Sequence, residues 1–239
     1  MHQSFFEEAG GSKVMTKVGN LVQGALQGYL VDKKTYDSCI NNRGQLKDPK
    51  VAALFDADGH GKADLAGCVP GWGCERIIEH QLDEYKLRDT VTHNQGEYNA
   101  IIADTIARLK TGNPVLLLHL GPLLGFWCAG PWQRCRLAVP YTSQPDGKKA
   151  DTTINGKNTG FPVDNIRVVA RNNFLAKNPA ARKLFELVTI PVNDVSEENM
   201  LIKKGEKSMS DIDRHVDGWI EKHRSQYESW LKAVRSASK

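Results

Sequence analysis

Hydrophobic and polar positions along this chain alternate between two periods. Ala25-Leu-Gln-Gly-Tyr-Leu-Val31 reads as a strand that ends in a turn at Asp32-Lys-Lys. Asp48-Pro-Lys-Val-Ala-Ala-Leu-Phe55 predicts a short helix with Asp48 as its cap and Pro49 in the first turn. Helical spacing returns in Glu75-Arg-Ile-Ile-Glu-His-Gln-Leu and is clearest over 96–110. There Tyr98, Ile101, Ile102, Thr105, Ile106 and Leu109 share one side. Gly112-Asn-Pro closes that helix, and Val115-Leu-Leu-Leu opens a strand. Phe161-Pro-Val and Ile166-Arg-Val-Val-Ala170 are further strand material. Three helices follow: one capped by Asn178, one starting at Ser196, and a last one opened by Ser210. In that last helix Ile212, Val216, Trp219, Ile220 and His223 keep helical spacing and are expected in the core. Strands interleaved with helices predict an α/β protein, and there is no internal repeat.

Composition narrows the picture without pointing to a function. The chain has 239 residues, 40% hydrophobic and 25% charged, enough for one large or two modest domains. Its net charge of +4 is spread among acids, with no basic run carrying interleaved aromatics. Nucleic acid is therefore not an expected partner. The longest apolar run, Val115 to Trp127, is short for a bilayer and holds His119, Gly121 and Pro122. The first residues, Met1 to Glu8, are acidic and lack the basic start of a signal peptide.

Candidate chemistry concentrates in Gly67-Cys-Val-Pro-Gly-Trp-Gly-Cys-Glu75. Its glycines and proline make a turn, and Cys68 and Cys74 are close enough to bridge. The amides of Gly73 and Cys74 follow Trp72 at the expected start of a helix. A fixed indole beside free helix N-terminal amides suits a small zwitterion, cation over the ring and carboxylate on the amides. The competing reading is a Trp packed in a core beside a structural disulfide or two free thiols. Cys39, Cys128 and Cys135 have no obvious partner, and the odd cysteine count is a warning.

Asp56-Ala-Asp-Gly-His-Gly-Lys-Ala-Asp64 resembles half of a calcium loop. His60 at its fifth position and Gly67 at its twelfth favour a solvated Asp/Gly turn instead, so no metal is expected. Catalytic motifs are absent, and His93 reads as a hydrogen-bonding residue at a helix entry. Neither an enzyme nor a cofactor is expected.

Longer motifs carry a resemblance. Gln27-Gly-Tyr-Leu-Val-Asp-Lys-Lys-Thr, Gln45-Leu-Lys-Asp-Pro-Lys, Gly61-Lys-Ala-Asp-Leu, Gly71-Trp-Gly-Cys-Glu and Thr92-His-Asn-Gln-Gly are similar to those of a transport family. Lys177-Asn-Pro-Ala-Ala and His215-Val-Asp-Gly-Trp-Ile extend the match almost to the C-terminus. The chain resembles the ProX-type periplasmic glycine betaine/proline betaine-binding subunits of osmoprotectant ABC importers. That resemblance implies a type II periplasmic-binding-protein fold, two lobes with a hinge. It implies a trimethylammonium group boxed by three tryptophans and a carboxylate held by a histidine and backbone amides. By resemblance, Trp72 is one wall, Gly73 and Cys74 donate the amides, Cys68–Cys74 is a disulfide, and His2 is the carboxylate-binding histidine. Residues 1–35 and 166–239 would form lobe A, with its N-terminal part missing, and 36–165 lobe B. The implied partners are a betaine ligand and the permease and ATPase subunits of an importer. The implied state is a periplasmic monomer.

Two departures stand out. The chain starts at about the family's carboxylate-binding histidine, and the third box tryptophan falls on Leu120. The segment from Leu116 to Trp127 can be encoded so that a one-base shift restores an aromatic strand, Phe-Tyr-Tyr-Thr-Trp-Asp-Pro-Phe-Trp. A local frameshift over 116–137 is therefore expected, which would also account for Cys128 and Cys135. The alternative function is a truncated, non-binding fragment.

Overall fold

The structure is a computed structural model that describes residues 3–121, 128–129, 134–147 and 150–238. His2 and residues 122–127 and 130–133 of the proposed shifted segment lie outside the described residues.

Helices α1 (Gln3–Glu8) and α2 (Gly11–Val14) lead into β1, which runs from Met15 to Asp32. Only the second half of β1 is visible in the hydrophobic pattern. Its first half pairs with a late strand through repeated register shifts, at Lys17/Asn20, Asn20/Val22 and Val22/Ala25. Such shifts break the two-residue alternation by which a strand is recognised. The expected turn at Asp32 is instead the start of α3 (Lys33–Asp37). The Asp32 carboxylate accepts from the Thr35 N–H at 2.8 Å and its hydroxyl at 2.7 Å, capping the helix. Asp48 caps α4 (Pro49–Ala52), accepting from Lys50 N, and one 3-10 turn (Ala53–Phe55) follows.

The middle of the chain alternates β2 (Ala63–Ala66), α5 (Gly73–Glu84), β3 (Val91–Asn94), α6 (Tyr98–Lys110) and β4 (Leu116–Gly121). Short strands β5 (Cys128–Ala129), β6 (Arg134–Arg136), β7 (Thr153–Ile154) and β8 (Lys157–Asn158) precede β9 (Asp164–Arg171). Phe161-Pro-Val is not a strand; Phe161 is a core residue, and Pro162 has no N–H for a ladder. The chain closes with α7 (Asn172–Lys177), α8 (Pro179–Leu187), α9 (Val192–Lys203), α10 (Met209–Lys222) and α11 (Arg224–Ser236).

Of the three expected caps, Asn178 holds the N-cap position of α8 without a side-chain cap bond, whereas Ser196 and Ser210 lie inside their helices. The Asn178 side chain donates to Phe174 O rather than capping α8, and Ser196 lies inside α9 with its hydroxyl donating to Val192 O. The cap of α10 is Ser208, in a reciprocal box with Asp211. Serine bonds backward within a helix as readily as forward at its start, so residue type alone does not place the boundary.

Two compact units result: residues 1–25 with 164–239, and residues 26–163. The second unit is built on a sheet in the order β3-β2-β4-β1-β6-β5. Strand β2 runs parallel to β3 and β4, and β1 antiparallel to β4 and β6. Alternation places Tyr29, Val31, Leu116 and Leu118 on one face, packed with Ile77, Ile78 and Leu82 of α5. Leu30 and Leu117 face the other way, against Ile102 and Leu109 of α6. Helices on both faces of a mixed parallel and antiparallel sheet make a three-layer α/β unit.

In the first unit β1 pairs antiparallel with β9. Helices α8, α10 and α11 contain no buried residue. Of the residues expected in the core, Ile212, Trp219, Ile220 and His223 are only half-buried and Val216 is exposed; Trp219 stacks on His223 at 4.3 Å and on Trp230 at 6.2 Å between ring centroids. No described helix is long and apolar enough to cross a membrane.

Candidate ligand-binding site

The loop between β2 and α5 is held at both ends and free in the middle. Cys68 and Cys74 form a disulfide with Cα atoms 6.2 Å apart, and both are fully buried. Between them the Trp72 N–H donates to Val69 O at 3.1 Å. That turn needs Gly71 at φ +86, a left-handed conformation that a side chain disfavours. The buried disulfide anchors the loop, while Trp72 remains 42% exposed. A packed core tryptophan, the competing expectation, is not what the fold makes.

Trp72 is also the N-cap residue of α5, in an extended conformation and without a side-chain cap bond. The Gly73 and Cys74 N–H groups belong to the first turn, where a helix has no internal acceptors and carries the positive end of its dipole. An exposed indole and anion-seeking amides thus share one corner of the second unit. Tyr98, the first residue of α6, adds an aromatic ring 6.2 Å from Trp72 and tilted by 32°. The pattern assigned Tyr98 to the apolar face of α6. Its place at the very start of that helix, one residue after the cap Glu97, is what frees it to reach the loop.

The structure unites Trp72, Gly73 and Cys74. His2 lies outside the described residues, and so does the side chain of Leu120. Among the remaining cysteines, Cys39 is free, whereas Cys135 is disulfide-bonded, against the expectation that it lacks a partner. Its Cα partner across the β5–β6 ladder is Cys128.

The acidic loop behaves as a turn. Asp56, Asp58 and Asp64 bring carboxylate oxygens within 4.8 Å of one another. Asp56 accepts from the N–H groups of Gly59, His60 and Gly61, and Asp64 from Ala57 N and Asn94 Nδ2. A cavity of about 310 Å³ beside it is lined by Asp64, Asn94, Asp104 and Arg108 and excludes Trp72. It is a feature of the α6 face, separate from the loop. Behind α5, Arg43 is fully buried and, among the described residues, bonds to no carboxylate. Its Nη1 donates to Tyr29 Oη at 2.6 Å and Gln81 Oε1 at 3.0 Å, and its guanidinium lies 3.9 Å from the Tyr29 ring centroid. Burial lowers its pKa and raises that of Tyr29.

His93 is not at a helix entry. It lies on β3 with its ring buried, bonded to Glu79 and to the backbone of Cys68.

Comparison with known proteins gives the family and the fold. Residues 1–222 match the family described as the substrate binding domain of ABC-type glycine betaine transport system. The glycine betaine-binding periplasmic protein OusX of Dickeya dadantii (strain 3937) is 47% identical over 246 residues, covering 100% of this chain and 73% of that protein. The glycine betaine/proline betaine-binding periplasmic protein of Escherichia coli (strain K12) is 47% identical over 245 residues, with the same coverage. Among solved structures, an ABC-transporter choline-binding protein in complex with choline superposes with a TM-score of 0.68 at 16% identity, covering 99% of this chain and 77% of that one. Lactococcal OpuAC, closed on glycine betaine, gives 0.66 at 17%, covering 96% and 75%. At such identities the likeness speaks for the fold, the type II periplasmic-binding-protein fold. The similar curated proteins are binding proteins, not enzymes.

Proposed function

Since the chain belongs to the substrate-binding domains of ABC-type glycine betaine transport systems, we propose that it captures glycine betaine or proline betaine at the Trp72 corner. Its role as a substrate-binding protein of such a transporter follows from that membership; the contacts are our reading. The observation that carries them is Trp72, exposed at the N-cap of α5 between two buried, bridged cysteines.

A quaternary ammonium has no hydrogen to donate, so an aromatic face is its natural partner, at ~0.5–2 kcal/mol per contact. Trp72 supplies that face, with Tyr98 beside it. The betaine carboxylate then lies over the Gly73 and Cys74 N–H groups, where the helix dipole favours an anion. The disulfide fixes the ring and the amides relative to each other before ligand arrives, which lowers the ordering cost of binding. His2 completes the carboxylate site in this reading, and residues 1–35 with 166–239 act as the second lobe. The bound betaine passes to the permease and ATPase subunits of the importer during osmotic stress. The protein works in the periplasm as a monomer.

Titration calorimetry of the full chain with glycine betaine tests this. Saturable heat whose affinity weakens in W72A supports the site. No heat with a cooperatively folded chain would leave the non-binding fragment as the better description.

A further inference from the structure

Between β2 and α5 the loop has a second restraint besides its disulfide. The Cys68 N–H donates to His93 Nε2 at 3.1 Å, so Nε2 carries no proton. The ring proton therefore sits on Nδ1, 2.6 Å from Glu79 Oε1. Glu79 is itself on α5, the helix that begins at Gly73. One imidazole on β3 thus grips the chain just before the loop and the helix just after it.

The fit is tight. The His93 side chain is 2% exposed, and a Cβ built on Gly67 would stand 1.9 Å from its Nε2, so that position accepts only glycine. Glu79 is steadied in turn by an ion pair with Arg88, which also bonds Asp83, and by Gln95 Nε2 at 3.2 Å. The Gly67 N–H bonds Asn94 O at 3.0 Å, continuing the β2–β3 ladder up to the loop.

We propose that His93 is a positioning residue for ligand binding: held by Glu79 in the Nδ1–H tautomer, it fixes Cys68 and thereby the orientation of Trp72 and the Gly73 and Cys74 amides. The proposal rests on the reading that this loop holds the betaine. Burial lowers the His93 pKa against the pull of Glu79 and Glu75, with Arg43 adding to the lowering, so the neutral ring that this geometry needs prevails at neutral pH.

The test uses the full chain, with calorimetry against glycine betaine and deuterium uptake over residues 66–75. H93A removes the acceptor of a buried N–H and should weaken affinity about tenfold while speeding uptake in that segment. H93Q restores an acceptor near the Nε2 position and should recover part of both losses, which general destabilisation would not do. Unchanged uptake in H93A, or equal acceleration across residues 26–163 in both variants, overturns the proposal. Should H93A not fold, E79Q decides, because it keeps the shape and removes the charge that selects the tautomer; unchanged uptake there overturns it as well. A parent chain that binds no betaine would defeat the proposed function, while uptake over 66–75 would still decide the role of His93.

Discussion

The two compact units of this chain are written in the same alphabet of amphipathic helices and alternating strands, yet they bury very different amounts of it. In residues 26–163 Tyr29, Leu65, Ile78, Leu116 and Leu118 meet in one continuous core, and a second cluster lies across the sheet. In residues 1–25 with 164–239, α8, α10 and α11 have no buried residue, and Ile166 and Val169 on β9 are 51% and 45% exposed. The difference teaches that helical periodicity states a need for a covering surface and does not supply one. In the second unit a sheet with helices on both faces meets the need. In the first, apolar stripes rest on their neighbours at partial burial.

The largest expected contrast is in stability. L65A empties a fully buried position in the second unit and should cost about 2–5 kcal/mol, whereas I166A should stay within about 0.5 kcal/mol. Denaturant titration followed by circular dichroism reads both. Comparable losses would erase the contrast and mean that β9 is covered in solution.

Function should divide from stability at Trp72. W72A removes an exposed ring and should weaken betaine binding by about 2- to 30-fold with almost no change in the denaturation midpoint. A large stability loss would instead make Trp72 a packing residue.

The units should also answer pH with opposite sign. Buried His93, facing Glu79, Glu75 and Arg43, has its pKa lowered below 6.5. The unfolded chain then takes up a proton that the native one refuses, so this contribution is full above pH 6.5 and is lost as pH falls. His215 is held by Glu198 on α9 and by Glu206, and those hydrogen bonds raise its pKa above 6.5. Its contribution is full below pH 6.5 and is lost as pH rises through the folded pKa. Hydrogen exchange between pH 5 and 8, compared with H93Q and H215Q, separates the two. The same sign in both units would break the assignment.

Smallest of all is the surface pair Lys33–Asp37, i to i+4 on α3 with both side chains about half exposed. D37N should change stability by no more than about 0.5 kcal/mol.

Much of this was legible in the residues. The α/β class, the helices beginning near Gly73, Tyr98, Pro179 and Met209, and the strands around Tyr29 and Leu117 follow from period and punctuation, which are local. So does the turn chemistry of Gly71 and the placing of Gly73 and Cys74 at a helix start. Those properties depend on neighbours within a turn or two, and a sequence contains them. The first half of β1 was hidden because its bulges exist only against β9, about 150 residues away. The exposure of Trp72 was undecided, because cysteines six apart are equally compatible with an indole turned in or out; packing of the disulfide beneath it made the choice. The approach of Tyr98 and the clamp of His93 on Cys68 and Glu79 belong to the parallel pairing of β2 with β3, which sets a residue from each strand side by side. Periodicity assigns a side chain to a face. Which partner waits across that face is decided only when distant strands come into register.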